Sequence, residues 1–509
     1  MTGHVRIAIA GAGISGFATL GHLVENLRAV ASAKVVIYWL QPPREIQTHN
    51  LSAAQCDRLA HLKSIGLDPA QLFGGGQVYH PVQPSLFTFN GSSAARGFNF
   101  VSQRYDSTDY FEWVQANRPL LATLYPDFAP ETGQQRHPVH TLDDIQGTTP
   151  RGAYGLYLHD QFLALKAHLP KHITLKIIPE ALQASVHTEK TVAIETSTRK
   201  LSVDYLVQAT GHRFAELRPE WAGRVFTAYP CDRYGQNLPQ QIAVVGAGPA
   251  GIEVALHALH NLQVEHVTLV SRHAQSRLPQ IEPTDPYKCQ WFTPEKMRLH
   301  PTAENAKSLL RKELAACYQA CNLPYPGWEK LLKIEAYPDF LRQYLQTTEQ
   351  SPNHPFAHLV RPVMSFYDRV KDWLPADEQT GVLQLIHQVK PLFATQSRPC
   401  AELMLAAFQS KRLKLIAGDF LPAQTTPTIV RPDGTQIHPD CVILATGFVQ
   451  STSPPCYSQL RNTRCYSVIG TSLSSVNRQA ASIANTIVET LAFDQASRST
   501  KERVSAHCR

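Results

Sequence analysis

Residues 5–16, VRIAIAGAGISG, decide the fold of this chain. The first six of them form an apolar run that predicts a buried parallel strand. A helix-like stretch follows the glycines, and a second apolar strand, 35–38, comes at the distance of a βαβ unit. In this setting Gly11 permits a tight turn, Gly13 lets the backbone approach a pyrophosphate, and Gly16 lets the helix pack closely on the strand. The stretch therefore predicts a dinucleotide-binding fold with the phosphates at the helix N-terminus. The alternative is a glycine-rich turn that binds nothing.

A second copy of this pattern begins about 235 positions later. Residues 241–251 read QIAVVGAGPAG, and a helix-like stretch and an apolar strand, 266–270, follow them. The two units predict an α/β protein with two Rossmann-like dinucleotide-binding domains, one for FAD and one for NAD(P)H, between which a hydride passes. The cofactor-binding residues predicted from the two loops are Gly11, Gly13, Ile14, Ser15 and Gly16 in the first and Gly246, Gly248, Pro249, Ala250 and Gly251 in the second.

The end of the second strand in each unit indicates how the adenosine ribose is recognised. In the second unit Ser271 and Arg272 follow the strand, with Arg277 nearby, where an NAD-specific site would carry an acid. Because an arginine can pair with a 2′-phosphate, this end favours NADPH over NADH. The alternative is that Arg272 is a solvated residue at a strand end.

The first unit departs from the usual pattern, because Trp39-Leu40-Gln41 stands where an acid normally binds the ribose. Gln41 is one candidate for hydrogen bonding to the ribose. Glu45, reaching back from the loop, is another. A first site that no longer binds a nucleotide also stays open at this stage.

Two apolar strands end in the same three residues, Ala-Thr-Gly, which let the backbone pass close to a cofactor. They are 205–211 and 442–447, and Thr210, Gly211, Thr446, Gly447 and Phe448 are the cofactor-binding candidates that they supply. Since one lies before the second unit and the other late in the chain, we expect the NAD(P)H domain to be inserted into the FAD domain. The expected boundaries are 1–232 for the first part of the FAD domain, 233–396 for the NAD(P)H domain and 397–509 for the return of the FAD domain.

The chain resembles FAD-dependent urate hydroxylases and aspartate N-monooxygenases, and more weakly lysine and ornithine N-hydroxylases. The likeness lies in 76–79 (GQVY), 87–90 (FTFN), 109–113 (DYFEW), 150–158 (PRGAYGLYL), the Ala-Thr-Gly-His ending at His212, 270–272 with 278–279, and 412–418 (RLKLIAG). The resemblance implies that Tyr79 and Asn90 lie beside the flavin and that Arg151 helps to hold it. The FxGxxxHxxx(F/Y) fingerprint of typical flavin-containing monooxygenases is not found in the sequence.

What the resemblance implies about function is a monooxygenase that uses FAD and NADPH. In such an enzyme NADPH would reduce the flavin, dioxygen would form a C4a-hydroperoxyflavin, and a small substrate, an amino- or other nitrogen-containing compound among the candidates, would be hydroxylated. One alternative is a flavin reductase or dehydrogenase that passes electrons to a partner or small acceptor. Another is a nucleotide-binding protein without catalysis.

The remaining segments carry weaker signals. Residues 280–396 combine proline-rich loops with helix candidates such as 303–322. In this segment Tyr287, Lys288, Trp291, Lys296 and Arg298 are either a clamp for an anionic group or a solvated loop. Near the C-terminus Ser472 precedes a helix-like run, 480–491, whose N-terminus suits a reduced flavin, although the serine is equally suited to be a plain cap.

Composition excludes several classes of protein. The 509 residues include 48 basic and 41 acidic side chains, and the basic ones form no long block, so nucleic acid is not an expected partner. Ten cysteines without a CxxC pair indicate neither a disulfide scaffold nor a thioredoxin-like site, and the histidines have no metal-ligand spacing. No membrane span or export signal is predicted, which favours a cytoplasmic protein that meets a small substrate and dioxygen.

Overall fold

The structure is a computed structural model. It describes residues 4–28, 34–89, 96–105, 107–126, 148–188, 191–211, 217–235, 237–279, 281, 283–285, 287–334, 336–393, 396–447, 464–468 and 476–491. None of the helices in these ranges is both long and apolar enough to cross a lipid bilayer. Three of the predicted cofactor-binding residues, Asn90, Phe448 and Ser472, lie outside the described residues.

The first glycine loop belongs to a five-stranded parallel sheet, here called the first sheet. Its strands are β1 (Val5–Ala10), β2 (Val35–Leu40), β5 (Ile173–Ile178), β9 (Tyr205–Gln208) and β18 (Cys465–Ser467). They lie in the order β18-β9-β1-β2-β5, and helix α1 (Ile14–Leu27) connects β1 to β2. The strands read as nearly continuous apolar runs because helices cover a parallel sheet on its faces.

The second glycine loop belongs to a separate five-stranded parallel sheet, the second sheet. Its strands are β10 (Val225–Thr227), β11 (Gln241–Val245), β12 (His266–Ser271), β13 (Leu413–Ala417) and β17 (Val442–Leu444). Their order is β10-β17-β11-β12-β13, and helix α6 (Pro249–Asn261) connects β11 to β12. The two sheets confirm the prediction of an α/β protein with two Rossmann-like folds.

The sheets place the return of the chain to the first fold later than the sequence suggested. Strands β13 and β17 fall within the predicted return segment, 397–509, yet both pair in the second sheet. The chain rejoins the first sheet at β18, and a helix over residues 476–491, α14, then packs on α1. The reason is that each Ala-Thr-Gly strand pairs with the strand that carries its own glycine loop, β9 with β1 and β17 with β11.

Smaller elements surround the two sheets. Three antiparallel sheets consist of β3 (Phe98–Asn99) with β4 (Arg104–Tyr105), of β6 (Ala184–His187) with β7 (Val192–Glu195) and β8 (Lys200–Val203), and of β14 (Asp419–Phe420) with β15 (Ile429–Val430) and β16 (Gln436–Ile437). The helices packed around the first sheet include α2 (Ala53–Ser64), α3 (Asp109–Ala116), α4 (Arg118–Leu124) and α5 (Arg151–Ala167).

The segment between β12 and β13 is a helical insert in the second fold. It contains α7 (Pro294–Leu299), α8 (Ala303–Ala320), α9 (Trp328–Leu332), α10 (Tyr337–Gln350), α11 (Pro355–Val370), α12 (Ala376–Phe393) and α13 (Arg398–Gln409). The helix predicted over 303–322 is confirmed as α8. The buried side chains of the insert share one hydrophobic core with those of the second sheet, so the insert is part of the second fold.

Candidate cofactor-binding sites

The first glycine loop has the geometry that the GxGxxG pattern requires. Gly11 has a φ of +103°, and a Cβ there would lie 2.3 Å from the carbonyl oxygen of Ala209. A Cβ on Gly16 would lie 1.9 Å from the carbonyl oxygen of Gly11, so helix α1 packs against the turn with no room for a side chain at this position. Ile14 and Ser15 form the start of this helix. Glycine is therefore required at two positions by the protein itself, whereas the predicted approach of Gly13 to a pyrophosphate stays a prediction.

The second loop repeats this arrangement. Gly246 has a φ of +109°, and a Cβ on it would lie 2.4 Å from the carbonyl oxygen of Ala445. A Cβ on Gly251 would lie 1.7 Å from the carbonyl oxygen of Gly246, while one on Gly248 would meet nothing within 4 Å. Pro249 and Ala250 open helix α6, where a proline costs no hydrogen bond because the first N–H groups of a helix have no partner inside it. The space beside Gly248 is open, as the predicted approach of a pyrophosphate to this glycine requires.

The two Ala-Thr-Gly endings stand beside the two loops. Thr210 and Gly211 follow β9, Thr446 and Gly447 follow β17, and all four residues are exposed. Both glycines have positive φ angles, +80° and +96° respectively. Each ending therefore places exposed backbone at the carboxyl edge of its sheet, next to the glycine loop where an open α/β fold binds its nucleotide.

Trp39, which stands near the position of the missing acid, supports the first loop from inside. The residue is fully buried, and its indole Nε1 donates a hydrogen bond of 2.9 Å to the carbonyl oxygen of Gly11. The sequence pattern does not assign this role to Trp39, although a large side chain with a polar tip at the end of β2 is a signal for it. The tryptophan thus holds the turn that the cofactor requires.

Gln41, the residue after β2, offers the acceptor that a ribose hydroxyl needs. Its Nε2 donates to the carbonyl oxygen of Leu72 at 3.1 Å, which orients the amide. Its Oε1 is buried and has no hydrogen-bond partner among the described residues. A buried acceptor without a partner is costly, and a ribose hydroxyl would satisfy it. Glu45, the other candidate, is exposed.

A second glycine segment, Gly74–Gly76, lies against the first loop. The N–H of Gly74 donates to the carbonyl oxygen of Ala12 at 2.9 Å, and a Cβ on Gly13 would lie 3.4 Å from the Cα of Gly76. Tyr79 follows this segment, stacks on Phe89 at 5.7 Å between ring centroids, and has its pKa raised by burial. The segment that the family resemblance placed at the flavin is therefore brought to the first loop.

Arg151 lies at the junction between the two folds. Its Nε donates to the carbonyl oxygen of Thr88 at 3.0 Å, and its Nη2 lies 2.9 Å from Oε1 of Glu253 on α6. Tyr229 contributes its hydroxyl to both side chains. Burial raises the pKa of Glu253 to about 7, and the charge of Arg151 opposes this rise only in part. The contacts described for the Arg151 guanidinium are thus with protein groups, and its predicted role in holding the flavin stays a prediction.

Glu253 was not identified from the sequence. It lies two residues after the last glycine of the second loop, and the sequence around it is that of the first turns of an ordinary helix. Only the approach of α5 to α6 shows that this carboxylate is buried against an arginine of the other fold.

The aromatic and basic cluster predicted in the insert is used largely by the protein itself. The carboxylate of Glu313 on α8 is fully buried and accepts hydrogen bonds from the Tyr287 hydroxyl at 2.6 Å and from the backbone N–H of Trp291 at 2.7 Å. The ammonium group of Lys296 lies 4.0 Å from the centre of the Trp291 ring. These contacts favour the structural interpretation of the cluster over a clamp for an anion.

At the end of β12, Ser271 and Arg272 have different surroundings. The Ser271 hydroxyl donates to the carbonyl oxygen of Gln275 at 2.9 Å and so shapes the loop that follows the strand. Arg272 is exposed, and no acidic side chain among the described residues pairs with it. An arginine in this state is available to an anionic ligand.

A family described as FAD-NAD(P)-binding matches residues 64–213. The match contains the Gly74–Gly76 segment, helix α5 and the first Ala-Thr-Gly ending. Among curated proteins, none matches the sequence. Together with the two glycine loops, the match shows a protein that binds FAD and NAD(P) and is an oxidoreductase, the class of enzyme that pairs these two cofactors.

Three solved structures have a similar arrangement of elements over 96% of this chain. Ornithine hydroxylase from Pseudomonas aeruginosa is 12% identical, with 99% of that chain covered and a TM-score of 0.45. L-lysine 6-monooxygenase from Pseudomonas syringae is 13% identical, with 100% covered and a TM-score of 0.41. Thioredoxin reductase from Lactococcus lactis is 9% identical, with 99% covered and a TM-score of 0.38. At these scores the likenesses do not bear on the reaction of this chain.

Proposed function

We propose that the chain is an FAD-dependent monooxygenase that uses NADPH to hydroxylate a small substrate containing nitrogen. The observation that carries the proposal is a pair of equivalent glycine loops in one chain, the first of them covered by Gly74–Gly76, where one of the stretches that resemble urate hydroxylases and N-hydroxylating monooxygenases begins. When bound, FAD and NADPH supply hydride transfer and oxygen activation. The protein supplies orientation, electrostatics and exclusion of water.

The cysteines favour this proposal over a thiol–disulfide reductase. In the insert, Cys317 lies in the last turn of α8 and Cys321 directly follows the helix, and burial raises the pKa of both thiols. Burial also raises the pKa of Cys231 and of Cys400 to about 12. Because the thiolate is the form that attacks a disulfide, these cysteines are poorly suited to thiol exchange.

The geometry of the first loop also bears on the alternative that the chain is a nucleotide-binding protein without catalysis. That alternative depended on the absence of the ribose-binding acid near Trp39. Since Trp39 supports the glycine turn and Gln41 presents a buried acceptor, the first site retains groups that suit FAD. The departure from the usual pattern is therefore compatible with a working cofactor site.

The test is a coupled-oxidation screen with the purified, FAD-loaded protein, NADPH and isotopically labelled dioxygen, across amino acids and purines. We expect one labelled oxygen atom in the product of at least one substrate, and hydrogen peroxide when substrate is omitted. A Gly248→Val variant, in which the open space of the second loop is filled, serves as the control and should yield neither. Reoxidation of the flavin by a quinone or an electron-accepting protein alone, with neither peroxide nor labelled product, would replace the proposal with a reductase.

A further inference from the structure

Residues 87–89 form a short segment that passes from the core of one fold to the core of the other. Phe87 is fully buried in the core that the second sheet shares with the insert, where its ring packs edge-on against His257 of α6 at 5.9 Å between ring centroids. Phe89, two residues later, belongs to the core of the first sheet. Thr88 therefore lies where the two cores meet.

The backbone N–H, the hydroxyl and the carbonyl oxygen of Thr88 are all hydrogen-bonded, and their partners come from both folds. The N–H donates to Oε1 of Glu253 on α6 at 3.2 Å, and the hydroxyl donates to the hydroxyl of Ser397, the N-cap of α13, at 2.8 Å. The carbonyl oxygen accepts a bond of 3.0 Å from Nε of Arg151 on α5. All four residues are buried. Because a shift of the segment would leave buried polar groups unsatisfied, these bonds fix it relative to α5 and α6.

The carboxylate and the guanidinium that hold Thr88 are also fixed to each other. Nη2 of Arg151 lies 2.9 Å from Oε1 of Glu253. The Tyr229 hydroxyl donates to Oε2 of Glu253 at 3.2 Å and accepts a bond from Nη1 of Arg151. A buried ion pair is stable only when further hydrogen bonds satisfy its groups, and Thr88 supplies one to each partner. The pair and the segment thus keep each other in place.

This cluster lies between the places where the two cofactors are expected. Glu253 is in the second turn of α6, whose N-terminus follows the second glycine loop. On the other side of Thr88, the ring of Phe89 stacks on Tyr79, which follows the Gly74–Gly76 segment that covers the first loop. Hydride transfer requires the reacting atoms to be held about 3–3.5 Å apart. The position of the two folds relative to each other therefore bears directly on this step.

We propose that Glu253, held by Arg151 and Tyr229, is a positioning residue that sets the flavin side of the first fold relative to the second glycine loop. It thereby sets the distance across which hydride passes from the nicotinamide nucleotide to the flavin. In this step a C4–H bond of the dihydronicotinamide breaks, an N–H bond forms at N5 of the flavin, and two electrons pass with the hydride from NADPH to FAD. The proposal rests on the pairing of these cofactors in the proposed function and is independent of the substrate.

The test measures flavin reduction separately from cofactor binding in Thr88→Val and Glu253→Met. Valine removes the hydroxyl of Thr88, whereas methionine removes the acceptor of its N–H. We expect the rate constant of flavin reduction at saturating NADPH, measured by stopped flow without oxygen, to fall at least about tenfold in both variants. The long-wavelength absorbance of NADP+ stacked on the reduced flavin should weaken as well.

Further measurements distinguish a change of position from a general loss of structure. The dissociation constants of FAD and NADP+, and the rate of reduction by dithionite, should stay within about twofold of the wild type. Glu253→Gln retains an acceptor for the N–H of Thr88 and should recover most of the rate that is lost in Glu253→Met. Tyr234→Phe is the matched control, because its buried hydroxyl donates to the carbonyl oxygen of Ala228 within the second fold. It should leave the rate unchanged.

A wild-type rate of reduction in Thr88→Val would overturn the proposal. This variant also decides the matter if Glu253→Met does not fold because Arg151 is left without its carboxylate. A loss of FAD or NADP+ affinity as large as the loss of rate would overturn the proposal too, since the cluster would then hold a cofactor and not an orientation. A wild-type flavin that is reduced by dithionite but not by NADPH would instead overturn the pairing of cofactors in the proposed function.

Discussion

The two glycine loops of this protein have the same scaffold but different surroundings. In both, the first glycine meets a carbonyl oxygen of an Ala-Thr-Gly ending and the third meets the carbonyl oxygen of the first. The middle glycines differ: Gly13 faces Gly76 at 3.4 Å, measured from the position of a Cβ, whereas Gly248 faces open space. The first loop is covered by a second glycine segment, whereas the space in front of the middle glycine of the second loop is open.

This difference predicts that the two folds hold their dinucleotides for different lengths of time. A ligand between two backbone segments buries more of its surface and dissociates slowly, whereas a ligand on an open loop exchanges quickly. We therefore expect the first fold to retain FAD through purification and many turnovers, and the second fold to bind and release NADPH in each cycle. The following variants test this comparison, beginning with the largest expected effect.

Gly16→Ala and Gly251→Ala test whether the two scaffolds are equivalent. In each variant the new methyl group would collide with a carbonyl oxygen, at 1.9 Å and 1.7 Å respectively. Each should lower the free energy of unfolding by about 4 kcal/mol, measured by denaturation or by loss of soluble protein. Gly248→Ala, whose Cβ meets nothing, is the control and should cost less than about 1 kcal/mol. A large loss for one scaffold alone would contradict their equivalence.

Glu253→Gln tests the buried pair that joins the two folds. Because burial raises the pKa of Glu253 from about 4.5 to about 7, the native state holds a proton between these pH values that the unfolded chain has released. The wild type should therefore lose stability relative to Glu253→Gln as pH rises through this window, by up to about 3 kcal/mol.

Denaturation at pH 5 and pH 8 measures this difference. Glu329→Gln, at the exposed ion pair with Arg311, is the control and should show little pH dependence. A constant difference between the wild type and Glu253→Gln would mean that no titrating pair joins the folds.

Gly13→Val and Gly248→Val test the covered and the open loop directly. Both glycines are helix N-caps with φ near −80° and extended ψ, so valine is allowed at each by the backbone. We expect Gly13→Val to abolish FAD retention, seen as loss of the yellow colour. Gly248→Val should keep the colour and weaken NADPH binding by at least about a hundredfold, which is about 2.7 kcal/mol. Loss of the flavin in both variants would contradict the assignment of one cofactor to each fold.

Gln41→Leu tests the ribose end of the first fold and should have the smallest effect. Loss of the buried acceptor should weaken FAD binding about tenfold, while Glu45→Gln at the exposed candidate should leave it unchanged. Fluorescence titration of the FAD-free protein measures the affinity. Gln41→Leu also removes the hydrogen bond from Gln41 to the carbonyl oxygen of Leu72. The free energy of unfolding of the same FAD-free proteins is therefore measured as well, which separates a loss of FAD affinity from a loss of stability. An effect of Glu45→Gln alone would reverse the assignment.

Much of the fold could be predicted because its signals are local. A buried strand, a glycine turn and a helix follow one another within residues 5–27, and each depends on its own residue types. The domain boundary at 397 could not be predicted in this way. Since both Ala-Thr-Gly strands have the same local sequence, only their pairing shows that the second lies beside β11.

The sequence by itself determined two dinucleotide-binding folds, the residues of both glycine loops and the basic residue that follows β12. These features depend on residues that are neighbours in the chain. The tertiary structure alone decided which strands complete each sheet and that Gly74–Gly76 covers the first loop. It also decided that Trp39 supports the turn and that Glu253 meets Arg151. These contacts join residues far apart in the chain, and their geometry arises only when separate helices and strands pack into common cores.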